Sequence, residues 1–318
     1  MAVIGIDLGG TKLACAVFTE DGGIETKSTV QLGGRTGNDV GALITRQIAG
    51  LIYGSRERVA AVGISVPGIS YSEKGTVWAP NIPGWTDYPL IDAIRSSIED
   101  KTIDIAIESD RACYILGETW RGAASGCLNA VFLAVGTGIG AGIMVDGVIL
   151  RGASDIAGAI GWMALDRPYR GEYDACGCFE YYASGDGIAR TARLMLHEMK
   201  EYRGPLSEKE PGSITCHDVF SALDSGDELA GKAIDNAIEL WGMAAANCVS
   251  LFNPDTVIFG GGVFGPAVRF IDRIYEEACK WAQPIAIRQV TFKASALGDD
   301  AGLVGAGRLA LERAKKRS

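Results

Sequence analysis

Apolar residues open the chain as a short run, Ala2-Val3-Ile4-Gly5-Ile6, which passes through Asp7-Leu8 into a Gly9-Gly10 turn. A second apolar run follows and ends at Asp21-Gly22-Gly23, a pattern that predicts a β-hairpin meander. The pattern returns at 130–147, where AVFLAV leads through GTGIGAG into IMVDG, so one strand, glycine turn and strand unit occurs twice. Helical periodicity predicts helices at 39–53, 90–99, 184–201, 227–252 and 300–316. Apolar strands are predicted at 59–66, 103–107, 256–259 and 288–292, and 202–215 reads as a surface loop.

At 318 residues the chain exceeds what one core usually fills, which predicts a doubly wound α/β protein of two lobes with a cleft between them. The division expected is 1–112 plus 300–318 for an N-terminal lobe and 113–299 for a C-terminal one, each owning one glycine turn. The net charge of −9 argues against nucleic acid as a partner, which would require a basic face. The Lys315-Lys316-Arg317 run reads as a solvated helix end. No basic segment precedes the first apolar run, and 122–145 is rich in turn-forming glycine, so neither a signal peptide nor a membrane span is predicted. Eight scattered cysteines without an export signal suggest reduced thiols and a cytoplasmic location, with Cys15, Cys127 and Cys248 in the core.

The first glycine turn carries chemistry. Asp7, Gly9, Gly10, Thr11 and Lys12 supply a carboxylate for a hydrated Mg²⁺, backbone N–H groups that side chains do not obstruct, a hydroxyl and an ammonium. A plain hairpin turn accounts for the two glycines but not for that combination. The second loop, Gly136 to Gly142, superficially fits a dinucleotide fingerprint. Such a loop must open a helix, whereas Ile143-Met144-Val145 continues as a strand, so an NAD site is rejected. Gly260, Gly261 and Gly262 follow a buried strand, where they suit either close helix–sheet packing or a nucleotide; three glycine sites in this order favour the nucleotide.

In this order the motifs resemble the ROK family of sugar kinases, within the actin/hexokinase-like (ribonuclease H-like) ATPase fold. The resemblance spans nearly the whole chain and includes Gly63 to Gly68, Pro80 to Trp85, Leu251 to Asp255 and Leu297 to Ala306. It implies ATP and Mg²⁺ as cofactors, a homodimer, phosphate contacts from Asp7 to Lys12 and from Thr137 and Gly138, and adenosine bordered by Gly260 to Gly262. Family members that act as repressors carry an added N-terminal helix-turn-helix, and the start at the first strand speaks against that branch. Ile105 to Asp110 matches the segment whose aspartate takes the proton from the sugar hydroxyl, so Asp110 is assigned as the base, the role phosphoryl transfer requires. Asp110 is also a candidate N-cap of the following helix.

The departures fall on the acceptor side. Gly68, Asn81, Ser109, Asp110, Ala159, Trp162 and Glu180 are the expected substrate contacts, with Glu180 matching the family's sugar-contacting glutamate. Ser109 stands where the family usually has Asn, Ala159 where it has Glu, and Trp162 where it has a His that also binds zinc. Only Cys176-Gly177-Cys178 remains of the zinc motif, and His197 and His217 lie elsewhere, so no zinc is expected. Trp162 suits stacking on an apolar sugar face, filling the volume left by Ala159, or a core position. The predicted activity is ATP-dependent phosphorylation of a sugar, polyol or cyclitol hydroxyl with altered specificity. The alternative is an inactive nucleotide- or sugar-binding sensor.

Overall fold

The computed structural model describes residues 1–199 and 201–316. In chain order the strands are β1 (Ala2–Leu8), β2 (Lys12–Thr19), β3 (Ile24–Gln31), β4 (Val59–Val66), β5 (Ile69–Tyr71), β6 (Thr76–Trp78), β7 (Asp104–Ser109), β8 (Ala130–Val135), β9 (Ile139–Val145), β10 (Val148–Ile149), β11 (Thr256–Gly260) and β12 (Thr291–Ala294). The helices are α1 (Gly37–Gly54), α2 (Leu90–Ser97), α3 (Asp110–Arg121), α4 (Cys178–Ala183), α5 (Gly185–Glu198), α6 (Cys216–Asp224), α7 (Glu228–Phe252), α8 (Ile271–Trp281) and α9 (Ala301–Lys316).

Two compact units emerge: unit 1 is Met1–Gly126, Ile149–Ala157 and Ala296–Ser318, and unit 2 is Cys127–Val148 with Gly158–Ser295. The boundary thus falls beyond 112, because α3 packs on α9 and stays with unit 1. Unit 1 holds the sheet β3-β2-β1-β4-β7, with β1 antiparallel to β2 and parallel to β4. Unit 2 holds β10-β9-β8-β11-β12, with β8 antiparallel to β9 and parallel to β11. Both glycine turns read from the sequence are therefore hairpins at the same topological place.

Alternation along β1 assigns its two faces. Ala2, Ile4, Ile6 and Leu8 join the core with Val40, Ile44 and Ile48 of α1, while Val3 turns to Phe18, Leu303 and Ala310 on the α9 side. Unit 2 packs Val131, Leu133 and Val135 of β8 against α7, whose fully buried Trp241 donates from Nε1 to the Ala183 carbonyl at 3.0 Å. The Asp227 side chain caps α7 at its start, and Asn253 ends it at φ 45°.

Some sequence expectations shift. The last strand starts at Thr291 rather than 288, since Ala286–Arg288 forms a 3-10 turn that buries Ile287. The 202–215 loop contains two 3-10 turns that sink Leu206 and Ile214 into the core. Cys15 and Cys248 are buried, but Cys127 is only half-buried, with its sulfur 3.8 Å from Thr256 Oγ1. Lys200, within the predicted 184–201 helix, and Arg317, within the terminal basic run, lie outside the described residues. Among those described, no helix is long and apolar enough to cross a membrane.

Candidate active site

In unit 1 the hairpin between β1 and β2 closes when the Gly9 N–H donates to the Lys12 carbonyl at 2.9 Å, which leaves Gly10 and Thr11 exposed. Lys12 Nζ lies 3.4 Å from Asp299 Oδ2. Asn81 borders the same turn, its Cβ 3.8 Å from where a side chain on Gly10 would begin. Asp7 sits at the end of β1 against the first turn of α9. Its carboxyl is pushed up to about 6 by burial first and then by the charges of Asp110 and Asp300, against the opposing pull of Ser65 and Lys12. The Ser65 hydroxyl is itself buried and lacks a well-formed hydrogen bond.

Asp110 starts α3 directly after β7. Ser109 is the N-cap, accepting the Ala112 N–H at 3.3 Å, so the capping role considered for Asp110 belongs to its neighbour. Asp110 instead accepts the Arg111 N–H at 2.7 Å on Oδ1, and the Tyr114 hydroxyl reaches Oδ2 at 3.5 Å. Burial raises its pKa above the usual aspartate range, outweighing Arg111, whose Nε stands 4.0 Å away. The side chain keeps 27 % of its surface exposed, so the carboxylate is shielded yet reachable. Arg111 also reaches the Gly68 carbonyl at 3.4 Å; Gly68, at φ 104°, holds a backbone conformation that favours glycine.

In unit 2 the second loop is pinned from below. The Ile139 N–H donates to Glu180 Oε2 at 2.6 Å, and a Cβ on Gly138 would stand 2.9 Å from the same oxygen. Burial, the largest influence, raises the Glu180 pKa, opposed by that N–H. Gly161 packs on Glu180 as well, placing the Ala159 to Trp162 segment beside it. Trp162 is 58 % exposed, which rules out a core tryptophan. Nearby, Tyr173 shares a 2.9 Å hydroxyl contact with Tyr182 and donates to Asp166 at 3.1 Å. Tyr181 packs edge-on against both rings. Cys178 is buried and Cys176 half-buried.

Gly136, Thr137 and Gly262 line a cavity of about 690 Å³. Gly185 and Asp186 at the start of α5 and Thr215 to His217 at the start of α6 complete its wall. Two helix N-termini thus face one cavity, each with its own side-chain cap at Ser184 or Thr215. Gly261 takes φ 90°, and Gly260 at the end of β11 abuts the Phe132 ring. Asp186, His217, Ser221 and Asp224 are cavity residues that sequence reasoning missed. The signal for the α6 end was present, because Thr215 and Asp218 form a capping box three residues apart.

The family model described as "ROK family" matches residues 3–313. The chain belongs to the ROK family. It is 33% identical to a glucokinase of Halalkalibacterium halodurans, over 96% of this chain and 93% of that protein. It is 28% identical to an N-acetyl-D-glucosamine kinase of Escherichia coli, over 96% and 98% of the two chains. A ROK family glucokinase from Streptomyces griseus, solved with glucose and AMPPNP, superposes with a TM-score of 0.75 at 29% identity, over 98% of this chain and 100% of that one. A ROK hexokinase from Thermus thermophilus gives a TM-score of 0.80 at 27% identity, over 99% and 100%. The fold is therefore the actin/hexokinase-like one that the sequence motifs predict.

Proposed function

We propose that this ROK protein transfers the γ-phosphoryl group of ATP to a hydroxyl of a sugar or sugar-like polyol, with Asp110 as the base. The observation that carries this is the Asp110 carboxylate itself, shielded, reachable and close enough to Asp7 for the two charges to interact. Asp110 takes the proton as the acceptor oxygen bonds to Pγ and the bond from Pγ to the ADP oxygen breaks. The adenosine suits the unit 2 cavity, which of the three glycines Gly260 to Gly262 only Gly262 lines, and the phosphates suit the N–H groups of Gly9 to Lys12 and of Thr137 and Gly138.

Magnesium fits this residue set indirectly. Among the described residues no three His, Cys, Asp or Glu side chains form a direct ligand group. The mutual repulsion of Asp7, Asp110 and Asp300 nonetheless favours a hydrated cation held through water at Asp7. When bound it supplies charge neutralisation on the phosphates. Zinc fits poorly at Cys176 and Cys178, because Trp162 offers an N–H donor where a nitrogen lone pair is needed.

The acceptor contacts proposed are Gly68, Asn81, Ser109, Ala159, Trp162 and Glu180. With Ala159 and Trp162 in place of hydrogen-bonding groups, glucose loses partners, and the exposed indole offers a stacking face instead. A homodimer in the cytoplasm completes the reading, resting on the family resemblance and checked by light scattering. Incubation with Mg-ATP and a panel of hexoses, N-acetylhexosamines, polyols and cyclitols should release ADP with at least one acceptor. ATP binding without turnover across the whole panel favours the sensor reading, which the substituted Ala159 and Trp162 motivate.

A further inference from the structure

Unit 1 contains a concavity of about 300 Å³, lined by β7 up to Glu108 but not by Asp110, that the proposed reaction does not use. Its floor is an ion pair. Glu108, 8 % exposed, receives Arg151 Nε on Oε1 at 2.6 Å, with Nη2 on the same oxygen. Arg151 comes from the Ile149–Ala157 segment and keeps 40 % of its side chain exposed beside that buried acid. From α9 come Glu312, Arg313 and Lys316.

The charges do not balance within the cavity. Glu108 is taken by Arg151, and Glu312 is held by Arg308 at 2.8 Å. Arg313 lies near enough to Glu108 to favour its charged form, yet among the described residues neither Arg313 nor Lys316 has an ion-pair partner. Two unpaired cations and the open edge of a guanidinium face one small space, in a chain whose net charge is −9. Guanidinium forks suit phosphate oxygens, and a phosphomonoester carries nearly two negative charges at neutral pH. The volume equals about ten waters at ~30 Å³ each, which leaves room for a small hydroxylated body beside the phosphate. Tyr71 and Glu312 line the same space and carry oxygens suited to its hydroxyls.

We propose that this unit 1 cavity binds a small hydroxylated phosphomonoester through Arg151, Arg313 and Lys316. The site is independent of phosphoryl transfer, and its test requires no turnover. Calorimetric titration with glucose 6-phosphate, and separately with inorganic phosphate, is applied to the wild-type protein, an R313A/K316A variant and an Asp110→Asn variant. Both substituted basic residues are exposed, so that variant should fold. Glucose 6-phosphate should bind the wild type and Asp110→Asn alike, and at least tenfold more weakly to R313A/K316A. Equal affinity of inorganic phosphate would assign the pocket to the free anion rather than the ester and overturn the hydroxyl contacts. No heat up to 10 mM, undiminished binding in R313A/K316A, or loss of binding in Asp110→Asn would overturn the site.

Discussion

Gly302 lies against the carboxylate of Asp7: a Cβ added there would stand 2.5 Å from Asp7 Oδ1 and 2.7 Å from Oδ2. The first turn of α9 therefore meets the end of β1 with no side chain between them, and its N-terminal dipole faces the acid. Gly302→Ala should displace Asp7. We expect a loss of about 1–3 kcal/mol in denaturant unfolding, together with a raised Mg²⁺ requirement in the ADP-release assay.

Asp7 also predicts a stability profile. Its folded pKa, about 6, is raised above the ordinary aspartate value of 3.8, so its contribution is fully present below about pH 4 and lost as the pH rises through 6. Asp7→Asn removes that loss. In the absence of Mg²⁺ the variant should be more stable than wild type at pH 7.5, by an amount on the order of 3 kcal/mol. The two should converge near pH 4, and a gap independent of pH would contradict the assignment of burial as the cause.

As the proposed base, Asp110 must be ionised to accept a proton, and burial raises its pKa. The acid limb of kcat should therefore lie above the ordinary aspartate range, with the rate falling as the pH drops through it. Asp110→Asn should reduce kcat by about 10²–10⁴-fold while leaving the ATP dissociation constant within threefold (about 0.65 kcal/mol). Stopped assays from pH 4.5 to 9 measure both effects.

Trp162, a proposed acceptor contact, is open to solvent, so acceptor binding should change the emission of the wild type but not of a Trp162→Phe variant. The best acceptor should quench or shift the emission. Trp162→Ala should raise the acceptor KM about tenfold, corresponding to a stacking contribution on the order of 1 kcal/mol, without altering the KM for ATP. An unchanged acceptor KM would separate the indole from the acceptor.

Glu108 and Arg151 form a pair in which only the acid is buried. Arg151→Ala strands that acid. The expected cost is on the order of 2–3 kcal/mol, less than for a fully buried pair because the arginine is part-exposed. Glu108 already has a raised pKa, from burial first, and losing Arg151 raises it further. The deficit should therefore shrink as the pH falls and Glu108 protonates, and a Glu108→Gln/Arg151→Met variant should recover most of the stability. Chemical denaturation at pH 5 and pH 8 reads the difference.

Much of the fold was legible because local signals and global topology agree. The paired glycine turns and the 228–252 helix each follow from residue spacing alone. The 271–281 helix went unread although Ile274 and Ala278 lie four apart on its buried face, because its three acidic and two basic residues mask a narrow apolar stripe. Asp110 and the glycine loops were legible as motifs. The Asp186, His217 and Asp224 wall was not, since those residues are scattered over two helices and meet only through packing around Gly262. The close approach of α9 to β1 was written in its glycines, but their meaning depends on which strand lies opposite.

The Ile149–Ala157 segment is a loan of nine residues from the middle of one unit's sequence to the body of the other. Its two moorings, Arg151 on Glu108 and Asp155 on the Ser72 backbone at 3.0 Å, belong to the borrower. A gene fragment encoding 127–295 would therefore carry away the counter-ion that the remainder needs, and a fragment ending at 126 would keep a carboxylate with nothing to neutralise it. Halves made separately should be poor folders, and circular permutants should tolerate new ends elsewhere far better than a cut through this stretch.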